Sequence, residues 1–309
     1  MNIYIIFPKR FFTEEQLGKF TEHNLKFIEG KNIDLEKIKE LFQEEKYILA
    51  VDPTYLKDSW GAFPVERVKR MKGLKALCLT TTSYSWVDGK ALSEIGITVT
   101  NTPGKSTEAV AEFNIYMMFS LLRKTPLIVK NNWAMDYDNF TNEEAKGLKA
   151  GIIGLGKIGT RVAELCRGLG MEVYYWNRSN RNIPFKSISL EELFSKADVI
   201  FNTIATAPEL KGFLNKNLIS RLNNKAVIVS TSDTHVFDVD LIFKQVEKNK
   251  LGGFAFESEK TKTTDFKGNV AVFPEQAYYT LGTLRNTARI VTETIISILQ
   301  GSPINVVNK

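Results

Sequence analysis

The chain has 309 residues, 43% of them apolar and 25% charged, the balance of a folded globular protein and not of a disordered one. That length suggests two domains of ordinary size. Lysine plus arginine exceed aspartate plus glutamate by 41 to 35, a formal +6, but the cations are interleaved with acids, so no basic stripe marks a nucleic-acid partner.

From the N-terminus, short runs rich in β-branched and aromatic residues predict strands over 3–7, 25–28, 47–51, 74–80 and 97–100. Apolar residues at helical spacing predict helices between them, over 13–22, 35–45, 64–71 and 88–95. Residues 108–123 are almost continuously apolar and suit a buried helix at a junction, and 133–145 (WAMDYDNFTNEEA) read as a long loop. A second series comes next, with strands over 150–153, 172–176, 199–203, 226–230, 253–256 and 270–273. Its helices are expected over 158–168, 190–196, 214–222 and 239–248. A last helix over 284–299 stops at Gly301-Ser302-Pro303. Strand–helix alternation at this pitch implies parallel sheets covered by helices on both faces, in two α/β units.

The two cysteines, Cys78 and Cys166, lie far apart in apolar stretches, which argues against a disulfide framework or a cysteine-rich metal site. No charged leader precedes a cleavable apolar run, and nothing approaches the ~20 apolar residues of a membrane span. A soluble cytoplasmic protein is expected, with neither a membrane partner nor a metal.

The stretch GIIGLGKIGTR over 151–161 contains G-x-G-x-x-G as Gly154, Gly156 and Gly159, between a predicted strand and a predicted helix. The first glycine permits the turn, the second admits a pyrophosphate, and the third lets helix pack on strand. Lys157 and Ile158 then lie at the helix N-terminus, where free N–H groups and a partial positive charge favour phosphate. NAD binders usually carry a carboxylate about 20 residues further on. Here that place reads Asn177, Arg178, Ser179, Asn180 and Arg181. A carboxylate would repel a 2′-phosphate, whereas guanidinium and hydroxyl groups bind it, so NADP(H) is expected to be preferred over NAD(H).

These motifs, with residues 97–112 (ITVTNTPGKSTEAVAE), 191–214, 226–238 and 269–274, give the chain a resemblance to the D-isomer-specific 2-hydroxyacid dehydrogenases over essentially its full length. The resemblance implies a flavodoxin-like substrate domain, 1–101 plus 285–309, into which a Rossmann-like nucleotide domain, 102–284, is inserted. It implies a homodimer and a cleft between the domains as the active site. It places Thr107, Thr203, Ala205, Thr231 and Ser232 along the cofactor, with Glu257 at the carboxylate that receives the nicotinamide amide. Thr81, Thr82 and Ser83 occupy the loop that holds the substrate carboxylate. Tyr278 and Tyr279 replace small residues and add bulk.

The family's acid/base chemistry is where the resemblance breaks. In AVIVSTSDTHVFD, residues 226–238, the position of the substrate-binding arginine holds Asp233. In NVAVFPE, residues 269–275, the position of the catalytic histidine holds Glu275. Ungapped alignment puts Lys262 where the histidine's glutamate partner belongs, and a shorter loop would bring Glu259 there instead. The two histidines do not restore the set. His23 reads as a surface or satisfied histidine, and His235 stands two residues from Asp233, where neighbouring loop positions point in different directions.

The residues support two readings. One is an NADP-dependent oxidoreductase, acting on a small-molecule carbonyl or hydroxy compound other than an ordinary 2-keto acid. Carboxylates at 233, 257 and 275 would repel an anion and suit a neutral or cationic carbonyl or imine, with Glu275 as the acid. The alternative is a catalytically inactive dinucleotide-binding sensor or scaffold of the same fold.

Overall fold

The computed structural model describes residues 1–309 apart from Glu44, Asn180, Thr206 and Ala207, and it divides into two compact units. One is Met1–Lys105 with Leu281–Lys309, and the other is Ser106–Thr280. The breaks fall after Lys105 and before Leu281 instead of after 101 and before 285. Ser106 caps the first helix of the second unit, and Leu281 already opens the C-terminal helix.

The first unit carries β1 (Asn2–Ile6), α1 (Glu14–Gly18), β2 (Asn24–Phe27), β3 (Tyr47–Val51), α2 (Val65–Arg70), β4 (Leu74–Leu79), α3 (Gly89–Glu94) and β5 (Thr98–Thr100). The second begins with α4 (Thr107–Leu122), α5 (Thr125–Lys130), β6 (Lys149–Ile153), α6 (Lys157–Gly168), β7 (Glu172–Trp176) and β8 (Lys186–Ser187). It continues through α7 (Leu190–Lys196), β9 (Val199–Asn202), α8 (Lys216–Ile219), β10 (Val227–Ser230), α9 (Val239–Glu247), β11 (Gly253–Glu257) and β12 (Val270–Phe273). The final helix, α10 (Leu281–Leu299), belongs to the first unit.

Both sheets are parallel. The first unit's order, β2-β1-β3-β4-β5, is the flavodoxin-like one; the second's, β12-β11-β10-β9-β6-β7-β8, is the doubly wound Rossmann order with an added strand. Side-chain alternation divides each sheet between two cores. In β1, Ile3 and Ile5 pack under α10 residues Leu284, Ala288, Val291 and Ile295, while Tyr4 and Ile6 face the opposite layer. In β6, Ala150 and Ile152 pack on the α4 and α6 side, and Ile153 on the α7 to α9 side. Gly151 is obligatory between them: a Cβ there would lie 2.7 Å from Leu193 Cδ2 and 2.9 Å from Ala197 Cβ of α7.

Several expected helices are shorter or absent. In place of the helix expected over 35–45 come two 3₁₀ turns, Leu35–Lys37 and Lys39–Phe42, because Ile38 leaves helical geometry at ψ 86°. The helix expected over 214–222 shrinks to α8: the Leu214 N–H is drawn to the Val236 carbonyl at 2.8 Å in a parallel bridge, and Asn215 caps the short helix that remains. The helix expected over 13–22 starts at a Thr13–Gln16 capping box and ends at Gly18. α4 is half-buried, not enclosed, and leaves Glu108, Glu112 and Tyr116 exposed.

Candidate functional site

The glycine loop sits at the carboxyl end of β6, beside the β6–β9 point at which strand order reverses, the usual crevice for a ligand in an open α/β sheet. Gly154 adopts φ +91°, and a Cβ on it would lie 3.0 Å from the Ile204 backbone. A Cβ on Gly159 would stand 2.1 Å from the Gly154 carbonyl oxygen and 2.7 Å from Thr203 Oγ1. Thr203 locks the same turn, its hydroxyl donating to the Gly154 carbonyl at 2.6 Å. Gly156 differs from both: a Cβ there meets nothing within 4 Å. It caps α6, whose first-turn N–H groups have no acceptors within the helix. Close packing around an open backbone patch is the shape a dinucleotide diphosphate requires, so the residues present fit that group.

A groove of about 440 Å³ runs from this patch and is lined by Gly154, Gly156, Thr203 and Ala205 together with Arg178 and Arg181. Lys157 and Thr107 line an adjoining depression of about 830 Å³, which Arg181 also borders. Thr107 therefore borders the same depression as the start of α6. Ile158 packs against the core below the loop. Asn177 lines the same groove and also braces it. Its Oδ1 accepts the Leu155 N–H at 2.9 Å, and its Nδ2 donates to the Ser179 carbonyl at 2.7 Å, so it ties the glycine turn to the arginine loop. Asn180, expected among the phosphate donors, lies outside the described residues.

The carboxyl ends of β10, β11 and β12 carry Asp233, Glu257, Glu259 and Glu275 in or beside the loops that follow them. Thr231 accepts a hydrogen bond from Asn114 Nδ2 at 2.9 Å, and Ser232 donates to the Ile204 carbonyl at 2.8 Å. Asp233 caps a 3₁₀ turn and accepts the His235 N–H at 2.9 Å, with His235 Nδ1 3.0 Å from the same oxygen. These contacts hold the Asp233 carboxyl below the usual range: the backbone N–H is the main cause, and the imidazole adds to it. Glu257 Oε1 accepts the N–H groups of Gln276 and Ala277, both at 2.8 Å, and so clamps the loop after β12. Burial pushes the Glu257 carboxyl up; the two N–H groups oppose this, and Glu275 and Glu259 reinforce it.

Glu259 accepts the Glu275 N–H at 2.9 Å, whereas the Lys262 N–H donates to Asp265 at 2.7 Å in a separate turn. Three carboxylates, at 257, 259 and 275, thus gather at one end of the second sheet. Tyr278 and Tyr279 stand beside each other, ring centroids 6.1 Å apart, at 40% and 59% exposure.

In the first unit, the loop after β4 is braced by its own side chains. Thr81 Oγ1 donates to the Ser83 carbonyl at 2.7 Å, Trp86 Nε1 donates to Thr81 Oγ1 at 3.2 Å, and Thr82 Oγ1 donates to the Thr102 carbonyl at 3.1 Å. Both cysteine thiols are buried and pushed up to about 12 by that burial. Among the described residues, no group of histidine, cysteine or carboxylate side chains could hold a metal ion, and no helix is long and apolar enough to cross a membrane.

Sequence reasoning missed the groove's apolar wall. Trp176 and Phe213, ring centroids 5.4 Å apart, line it with Ile204 and Leu210, and Glu209 lines it as well. An aromatic residue ending a strand just before an arginine loop is the signal that could have marked Trp176.

Residues 115–272 match the family model described as D-isomer specific 2-hydroxyacid dehydrogenase, NAD binding domain. The chain belongs to that family. Its members bind NAD(P) and are oxidoreductases acting on CH–OH groups. Among relatives of the D-2-hydroxyacid dehydrogenase family, a D-3-phosphoglycerate dehydrogenase from Haemophilus influenzae is 28% identical over 235 residues, covering 74% of this chain but only 55% of that enzyme. Two solved structures share the fold over nearly the whole of both chains. One is a D-2-hydroxyisocaproate dehydrogenase, at 20% identity and TM-score 0.80, covering all of each chain. The other is an acyclic imino acid reductase in complex with NADPH and D-Arg, at 24% identity and TM-score 0.78, covering 99% of this chain and 100% of that one.

Proposed function

We propose that this chain is an NADP(H)-preferring oxidoreductase whose substrate is a neutral or cationic carbonyl or imine and not an ordinary 2-keto acid. The observation that carries the reading is the contrast in charge along one sheet: Arg178 and Arg181 line the groove by the glycine turn, while Glu257, Glu259 and Glu275 gather at the ends of β11 and β12. Guanidinium groups favour a 2′-phosphate. A carboxylate cluster in a partly desolvated setting disfavours an anionic substrate and attracts a cationic one. The imino acid reductase of the same fold binds NADPH together with a ligand bearing a guanidinium group.

When bound, the dinucleotide would supply a hydride to an electrophilic carbon. The chain's own residues do the rest: Gly156 and the α6 N-terminus seat the diphosphate, Thr203 and Asn177 keep the turn shaped, and Arg178 reads the phosphate. Self-association belongs to the same reading. Tyr116 on α4 is 52% exposed and packs with Phe113 and Phe273, an apolar face suited to a second copy.

The test is a calorimetric titration with NADPH and NADH, followed by a screen of anionic, neutral and cationic carbonyl compounds and imines for NADPH oxidation. NADPH is expected to bind the more tightly. Glyoxylate, hydroxypyruvate and pyruvate are expected to give no rate near the ordinary enzyme range of about 1–10³ s⁻¹. Equal affinities for the two dinucleotides, or keto-acid turnover in that range, would refute the reading. Tight binding with no turnover of any compound would favour the inactive sensor.

A further inference from the structure

We propose that a cavity at the amino ends of β10, β11 and β12, the end of the second sheet opposite the glycine turn, is a separate binding site for a small amino acid. Its volume is about 430 Å³, within the range of small-molecule sites, and among the described residues it shares no lining residue with the cofactor groove. The loops that meet there are tied to one another. The Gly252 N–H donates to the Ala226 carbonyl at 2.7 Å, and a Cβ on Gly252 would stand 2.1 Å from the Lys225 carbonyl oxygen. Asn269 Nδ2 donates to the Leu121 carbonyl at 3.0 Å and to the Gly252 carbonyl at 2.8 Å, so one side chain joins α4 to the starts of β11 and β12.

Two polar groups of the lining are left unsatisfied. Asn269 is only 5% exposed, and its two carbonyl contacts use both hydrogens of the side-chain amide, but Oδ1 is buried and accepts nothing among the described residues. A buried acceptor without a donor is costly. Lys124 stands between α4 and α5 at φ +54°, half-buried, and its ammonium has no hydrogen-bond or ion-pair partner among the described residues. The single carboxylate of the lining, Glu143, is bound instead to Lys225 at 3.2 Å. Burial pushes the Lys124 ammonium down; Glu143 opposes this, and Lys225 reinforces it.

An amino acid is the complement of this lining. Its carboxylate would neutralise Lys124 in a partly desolvated setting, where an ion pair counts for more than in water. Its ammonium would supply the donor that Asn269 Oδ1 lacks, with Glu143 on the same lining to balance the charge. Leu122, Val246 and Leu251 give the cavity an apolar wall suited to an aliphatic side chain. One unpaired ammonium matches a carboxylate, and not the double charge of a phosphate ester.

L-Valine is the probe, titrated calorimetrically into the full chain, with isovalerate, which lacks the ammonium, and valinamide, which lacks the carboxylate, as controls. Valine is expected to bind about tenfold more tightly than either, or better. Lys124→Met should weaken valine by about tenfold or more, whereas Lys124→Arg, which keeps the charge, should retain most of the affinity. Melting curves establish that both variants are folded, and NADPH affinity should be the same in the parent and in each of them. Isovalerate binding as tightly as valine, valine binding that survives Lys124→Met, or no valine binding up to about 10 mM overturns the proposal. A parallel loss of NADPH in Lys124→Met would assign valine to the cofactor groove and overturns it as well.

Discussion

The two halves of the second sheet differ in the charge they present, with arginines beside the glycine turn and carboxylates at the ends of β11 and β12. Around β6 and β7 the parts of a dinucleotide site are in place: Gly154 at positive φ, the open Gly156, the close-packed Gly159 and the bracing Thr203. Around β10 to β12 acidic side chains fold back on nearby backbone: Asp233 on its own 3₁₀ turn, Glu257 and Glu259 on the loop after β12. The cradle is made chiefly of backbone and the far strand ends present chiefly side chains, so a substitution acts through shape in the first half and through charge in the second.

The sharpest way to break the comparison is at the glycines. Gly159→Val would drive a side chain into the Gly154 carbonyl, a backbone atom that cannot step aside, and should cost about 3 kcal/mol or more, read as a fall in melting temperature. Gly156→Ala has room and an ordinary φ of −78°, so its stability should stay within about 0.5 kcal/mol while NADPH affinity falls. Equal melting losses for the two would show that the cradle is not built as described.

Restoring the family's side chains tests the other half. Asp233→Arg with Glu275→His should raise NADPH oxidation with glyoxylate well above the parent, and either change alone should do almost nothing, since groups acting as a unit are not additive. Lys262→Glu, which suits the ungapped alignment, should add little, because it is Glu259 that hydrogen-bonds residue 275. A double variant that binds NADPH and stays silent would mean that more than side-chain identity separates this site from the family's.

Arg178→Ala should cost NADPH about ten- to a hundredfold in affinity and leave NADH nearly unchanged, the loss of one charge-assisted hydrogen bond. An equal loss for both dinucleotides would assign Arg178 to the diphosphate.

The smallest effect expected is at Glu257. Its carboxyl is raised in the folded protein, so the fold binds more protons than the unfolded chain between the ordinary glutamate value of 4.5 and the raised one. Its stability contribution is complete below the unfolded value and is lost as pH rises through the folded one. Glu257→Gln keeps an acceptor for the Gln276 and Ala277 N–H groups without the buried charge. Melting curves from pH 4 to 7 should show the parent losing ground against this variant as pH rises, and parallel curves would exclude the burial effect.

The strand–helix alternation and the glycine turn were legible because each rests on local pattern, namely alternation, spacing and a motif between strand and helix, whereas the flavodoxin-like and Rossmann-like sheets were implied only by the family resemblance. What escaped depends on side chains folding back on nearby backbone. Asp233 and His235 were expected to diverge as loop neighbours, yet the 3₁₀ turn between them brings both onto one oxygen. The bracing bonds of Asn177 carried no sequence signal, and the 35–45 helix failed at one residue, Ile38, whose apolar spacing carried no sign of its backbone angle. The approach of Glu259 to Glu275 joins two loops, and alignment alone cannot choose it over Lys262.

The division of the chain also sets a timetable for its synthesis. The first unit's sheet is complete by Thr100, but one of its two cores waits for Leu284, Ala288, Val291 and Ile295 of α10, which follows the inserted unit in the chain. The inserted unit has all its strands by Phe273 and can close its cores earlier. On a ribosome, β1 and β3 must therefore keep Ile3, Ile5 and Ile48 uncovered by α10 until the whole inserted unit has been made. Strands translated before the inserted unit thus finish packing after it, with apolar surface exposed in the interval.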